Sequence, residues 1–279
     1  MSKKYNIFIN SNDGRFCNQL YPLFVGLTYY EHNKEKFNKI YFCNIITYLN
    51  VLRLDSSLFF RLPKKLTDLI SIDIDEYNSI TENNTSESYV NYPIKLPQEF
   101  NNNLRIHGYC QTASKIDVNV IRKYFECPKD IKNKIYELYG DISNYVCLHV
   151  RRGDYVNDCK YRILSKEYIN YIKETYCSDK KIICISDDMT WCKENLNDIN
   201  DIVFADKSDD VLIDFYIGTI TKCNVCSNSS FSLASAILNP NNNIYVPYPY
   251  YRYEPFNYNE ELKIIPSYAN KIDYDLFEE

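Results

Sequence analysis

An α/β fold in two halves, divided near residue 140, is what this sequence predicts. Three observations carry that expectation. From residue 145 onward, short apolar runs rich in Ile, Val and Cys alternate with amphipathic helical stretches. Such alternation is the pattern of a mostly parallel sheet with helices on both faces. The chain also opens with a strand, a polar loop and a helix. Finally, 279 residues, 45% hydrophobic and 25% charged, suffice for a well-cored globular chain of one large or two ordinary domains.

Tyr5 to Asn10 reads as the first strand, and residues 11–19 as a turn-rich polar loop. Leu20, Leu23, Phe24 and Leu27 then recur at helical spacing, and Pro22 suits that helix only in its first turn. Lys39 to Cys43 is the next strand. Residues 44–100 resist assignment, with short helix-like pieces and an Asn/Thr/Ser cluster near 81–88. Ile106 to Gln111 reads as a strand end, and Val118–Phe125 and Pro128–Tyr139 as helices. Gly140-Asp141 separates residues 1–140 from residues 141–279. In the second half, strands at 145–150, 181–186, 201–204, 223–227 and 244–246 alternate with four helices. Those helices cover 166–175, the neighbourhood of Trp191 and Cys192, 211–219 and 232–238.

Several function classes are disfavoured at once. A net charge of −5 argues against a nucleic-acid partner. No run approaches the roughly 20 apolar residues of a membrane span, and no signal peptide is legible, so a soluble protein is expected. Eleven cysteines, an odd and scattered set, suit reduced thiols in the cytoplasm. Cys223 and Cys226 form one C-x-x-C pair, but with three histidines in the chain no metal site is expected. The six glycines assemble neither a Walker loop nor G-x-G-x-x-G.

Four polar clusters fall at predicted strand ends, where open α/β sheets bind ligands. They are the 11–19 loop, the turn His149-Val-Arg-Arg-Gly-Asp154, Ser186-Asp-Asp188, and Ser227-Asn-Ser-Ser230. Arg151 and Arg152 provide planar, permanently charged forks that fit a diphosphate, and a nearby carboxylate can orient one of them. Asp187 and Asp188 could accept from ribose hydroxyls or a base edge, and Ser227 to Ser230 could donate to phosphate. Helix capping is the competing reading of both.

These clusters resemble the motifs of the α-1,2-fucosyltransferase family, glycosyltransferase family 11. His149-Val-Arg-Arg-Gly-Asp154 is similar to H-x-R-R-x-D, and Gly14-Arg-Phe-Cys-Asn-Gln19 to G-[GR]-[LF]-G-N-Q. His107-Gly-Tyr-Cys-Gln111 resembles G-Y-x-Q, Ile185 to Cys192 resembles F-S-D-D…W-C, and Cys226 to Ser232 resembles N-S-[ST]-F-S. The resemblance implies a GT-B-like architecture, two Rossmann-like halves with the donor cleft between them. It also implies inverting, metal-independent transfer from a GDP-β-L-sugar, usually fucose, to an acceptor glycan, with no cofactor. Residues 1–140 would be the acceptor side and 141–279 the donor side.

Carried over, Arg151 would neutralise the β-phosphate of the leaving GDP. Asp154 is the nearest candidate base, and Asn18 and Arg15 would reach the donor from the first half. His149, Arg152, Asp187, Asp188, Ser227, Asn228, Ser229, Ser230 and Phe231 would line the turn, the nucleoside and the diphosphate. Two departures stand out. Cys17 replaces the family's usual Gly, and Leu233-Ala-Ser-Ala replaces a tryptophan-rich run. Another 6-deoxy-L-sugar nucleotide, L-rhamnose for example, or a non-catalytic binding module on the same fold are the alternative readings.

Overall fold

Two parallel sheets hold the strands, and each is the centre of its own unit. The computed structural model describes residues 4–10, 16–43, 61–71, 85–87, 103–108, 110–158, 161–250 and 264–277.

The first unit, Met1–Glu126, begins with β1 (Tyr5–Asn10), α1 (Phe16–His32) and β2 (Phe37–Cys43). It continues with α2 (Lys64–Thr67), β3 (Ile70–Ser71), β4 (Thr85–Glu87), β5 (Asn103–His107) and α3 (Val118–Tyr124). Its strand order is β3-β2-β1-β5-β4, all parallel. Ile7, Phe8 and Ile9 are fully buried, as expected of a strand covered on both faces. Helix α1 starts about one turn earlier than its apolar spacing suggested, so Pro22 lies inside it rather than in the first turn. Having no N–H, Pro22 offers nothing to the carbonyl of Asn18 four residues back.

The second unit, Cys127–Glu279, contains α4 (Lys129–Tyr139), β6 (Val146–Val150), α5 (Lys166–Tyr176), β7 (Ile182–Ser186) and α6 (Met189–Asn195). Then come β8 (Ile202–Phe204), α7 (Val211–Ile220), β9 (Cys223–Val225), α8 (Ser230–Leu238), β10 (Ile244–Tyr248) and β11 (Asn270–Asp273). Its sheet runs β11-β10-β9-β6-β7-β8, again parallel throughout. All five residues of β6 are buried. Fully burying a Val or Leu side chain is worth about 1.5–3 kcal/mol, so Val146, Leu148 and Val150 make this strand an anchor of the unit.

The units divide at Glu126/Cys127, earlier in the chain than the expected division near 140. Helix α4 is the reason: Ile131 and Ile135 make its buried face, and it packs against α7. Strand β11 is an addition that its polar sequence, with Ile272 alone apolar, did not announce. Among the described residues, no helix is long and apolar enough to cross a membrane, and nine cysteines are free.

Candidate active site

In the second sheet the chain runs from β6 outward through β7 and β8, then crosses to β9 and continues outward the other way. The loops after β6 and β9 therefore diverge from the sheet's point of reversal, where doubly wound sheets open a crevice. Three of the four predicted clusters, at 149–154, 186–188 and 227–230, gather around that point.

His149 anchors it. The ring Nδ1 lies 2.7 Å from the Ser227 hydroxyl, across the reversal, and the imidazole stacks on Phe231 at 5.3 Å. Burial pushes its pKa down to about 3, with the Arg151 charge adding to the effect. The imidazole is therefore neutral at neutral pH and bonds as a neutral group.

Arg151 emerges just beyond it. Its Nη1 bonds Asp187 Oδ2 at 2.8 Å and its Nη2 bonds Asp154 Oδ1 at 2.5 Å. The guanidinium also lies 5.2 Å from the centre of the Tyr155 ring. A guanidinium has five N–H donors, so two bonds leave three. One of these, Nε, is sealed without a partner. Asp187 comes so close that a Cβ on Gly153 would lie 2.2 Å from its Oδ2. Only glycine permits that approach without displacing the carboxylate.

Arg152 does different work. Its backbone N–H donates to Asp187 Oδ1 at 2.9 Å, and its Nε donates to Asp188 Oδ2 at 3.2 Å. The guanidinium covers Trp191 at 4.0 Å. Asp188 meanwhile caps α6, accepting from the Trp191 N–H at 3.1 Å. The two aspartates expected to face a nucleoside thus also fix the arginine turn.

The loop after β9 is internally bonded. Ser229 caps α8 by accepting from the Phe231 N–H at 3.3 Å, while the Ser232 hydroxyl donates to the Ser227 carbonyl at 2.9 Å. Asn228 donates to the Tyr250 carbonyl at 2.7 Å, and its Oδ1 is buried with no partner. Ser227, Asn228 and Ser229 are all buried, while Ser230 and Phe231 are half-buried. Tyr155 joins the two loops: its hydroxyl donates to the Asn228 carbonyl at 3.3 Å, and its ring stacks on Tyr161 at 3.9 Å. Neither tyrosine stood out in a chain with 28 of them.

Below this edge, Asp214 and Asn224 line a small cavity with Cys147, His149, Phe231 and Ser235, large enough for about one water. Burial raises the Asp214 carboxyl to about 7, with the charges of Asp210 and Asp209 adding. Nothing in Val211-Leu-Ile-Asp-Phe-Tyr-Ile distinguishes that aspartate from an exposed one.

The first sheet reverses between β1 and β5. There Gln111 Nε2 donates to Asn18 Oδ1 at 2.9 Å. Arg15 lies outside the described residues, as does most of the polar loop that was expected around it. Among the described residues, no group of three or more His, Cys, Asp or Glu side chains could hold a metal ion.

Two known glycosyltransferases match parts of this chain in sequence. An Escherichia coli α-1,2-colitosyltransferase is 30% identical over 102 residues, 32% of this chain and 34% of that protein. The E. coli O-antigen biosynthesis glycosyltransferase WbnK is 28% identical over 167 residues, 50% of this chain and 55% of that protein. These matches thus span between a third and about half of the length of the curated relatives. The fold is shared with the α-1,6-fucosyltransferase NodZ co-crystallized with GDP, at a TM-score of 0.56 and 13% identity. That likeness covers 85% of this chain and 94% of the other, and with the two parallel sheets it makes the fold GT-B-like. Residues 30–267 match the profile of glycosyl transferase family 11, and the chain belongs to that family.

Proposed function

We propose that the chain is an inverting, metal-independent glycosyltransferase moving L-fucose from GDP-β-L-fucose to an acceptor glycan, at a 2-hydroxyl in α-1,2 linkage. The observation that carries this reading is Arg151, a guanidinium pinned by two carboxylates at the switch point with donors to spare. In this displacement the acceptor oxygen bonds the anomeric carbon as the bond to the diphosphate breaks on the opposite face. The acceptor proton passes to a base, and negative charge grows on the departing β-phosphate. A permanently charged fork held beforehand is suited to that charge without a metal ion. Asp154, 61% exposed, is the motif's nearest candidate for the base.

The second unit would hold the nucleotide, with the α8 N-terminus and the Ser227–Phe231 loop beside the diphosphate. The first unit would serve the acceptor side. Linkage does not follow from the fold, since NodZ makes α-1,6 bonds. A second donor is favoured by the colitosyltransferase match, colitose being fucose without its 3-hydroxyl.

A screen of sugar nucleotides for hydrolysis or transfer, run with and without EDTA, tests the reading. Turnover of a GDP-6-deoxy-L-sugar, undiminished by EDTA, is expected. Loss on chelation with recovery in Mn²⁺ or Mg²⁺ would overturn the metal-free mechanism. GDP binding by calorimetry with no turnover of any donor would point instead to a binding module.

A further inference from the structure

The turn after β5 is built at a conformational cost. Gly108 has φ 103°, and Cys110, a residue with a side chain, has φ 49°. Left-handed backbone at a non-glycine position costs on the order of 1 kcal/mol and persists only where the surroundings impose it. The Thr112 N–H bonds the Cys110 carbonyl at 2.7 Å, closing a three-residue turn with Gln111 at its apex. Thr112 is 2% exposed, yet its hydroxyl has no hydrogen-bond partner. Cys110 is buried too, and burial pushes its thiol up to about 12, which leaves it no nucleophilic role.

What the turn achieves is the Gln111 bond to Asn18, across 93 residues of sequence. A side-chain amide presents one accepting oxygen and one donating NH2 group. Because Gln111 donates to it, the Asn18 oxygen is held toward Gln111 and the NH2 is the side of the amide left to meet a ligand.

We infer that Gln111 is a positioning residue that fixes the Asn18 amide as a hydrogen-bond donor. The first sheet's reversal point thereby takes an oxygen of the ligand, a phosphate oxygen or a sugar hydroxyl, and Asn18 is not a proton acceptor. The identity of that ligand rests on the glycosyltransferase reading; the amide orientation does not.

Steady-state kinetics on the turned-over sugar nucleotide test it, using Q111L, Q111E, N18A and the N18A/Q111L double variant. Q111L should lose about tenfold in kcat, since misplacing a reacting contact is costly. Q111E, although the same size, should lose more. Its carboxylate accepts from the Asn18 NH2 and turns the amide over, directing the oxygen at the ligand. In the N18A background, Q111L should change nothing further. A glutamine that only supports the turn gives the opposite pattern: Q111E milder than Q111L, and losses that multiply in the double variant. That pattern overturns the inference. Should the wild type turn over no sugar nucleotide, the functional reading fails by itself. The pairing is then read by NMR: the Asn18 side-chain amide resonances must move in Q111E, and unmoved resonances sink it.

Discussion

Each of the two sheets reverses its strand order beside its own first strand, and the two reversal points are equipped differently. The second carries guanidinium and carboxylate groups locked into pairs between neighbouring strands, with Arg151 and Arg152 on Asp154, Asp187 and Asp188. At the first, the described residues meet through an amide pair, Gln111 on Asn18. Half-buried charges demand partners close at hand, so a charged edge needs neighbouring strands that supply both signs. An amide pair makes no such demand. It can be reached by bending one loop, as at Cys110.

The largest test of this contrast is at Arg151. Arg151→Lys keeps the charge but loses the fork, and kcat should fall by about 10²–10³ with the circular dichroism spectrum unchanged. Arg152→Lys should stay within about tenfold, because that side chain braces the turn against Asp188 and Trp191. Equal, weak effects would reduce the edge to a generic basic patch.

A smaller effect is expected at Gly153. A methyl group there lies 2.2 Å from Asp187 Oδ2 and must push the carboxylate off Arg151. Gly153→Ala should weaken GDP binding about tenfold in calorimetry, much as misplaced positioning groups do elsewhere. Undiminished affinity would show that the Asp187 contact does not orient the fork.

The smallest effect concerns stability. His149, near 3 when folded against about 6.5 unfolded, contributes stability that is complete above about pH 6.5 and lost as pH falls toward 3. Asp214 runs the other way. Raised to about 7 from an unfolded value near 3.9, it contributes most below about pH 4 and loses that contribution as pH rises through 7. Between about pH 4 and 6.5 the two slopes oppose each other. Asp214→Asn removes one of them, so its urea midpoint should drop more steeply on acidification than the wild type's. Parallel pH profiles would mean that the Asp214 carboxyl is not raised by its burial.

Legibility in the sequence followed the same division. The alternation after residue 145 located every strand of the second sheet except β11, because buried parallel strands are written in Ile, Val and Cys. Arg151, Asp154, Asp187 and Ser227 stood out since charge and hydroxyls at strand ends are conspicuous. Tyr155 and Asp214 did not, because only tertiary packing makes one a bridge and the other a buried acid. Gln111 lay within a quoted motif, yet its partner Asn18 is far away in sequence. Pro22 misled outright: the rule that confines proline to a helix's first turn yielded to the packing of α1.

One consequence of the neutral His149 concerns how a donor arrives. With the imidazole uncharged, the edge made by Arg151, Arg152, Asp154, Asp187 and Asp188 holds two positive and three negative charges. The whole chain stands at −5. Those five side chains offer an approaching diphosphate no net attraction, and the guanidinium is felt only at short range, inside the Debye length of about 8 Å at physiological salt. Capture is thus a matter of fit and not of steering. The association rate should lack the steep salt dependence of electrostatically guided encounters.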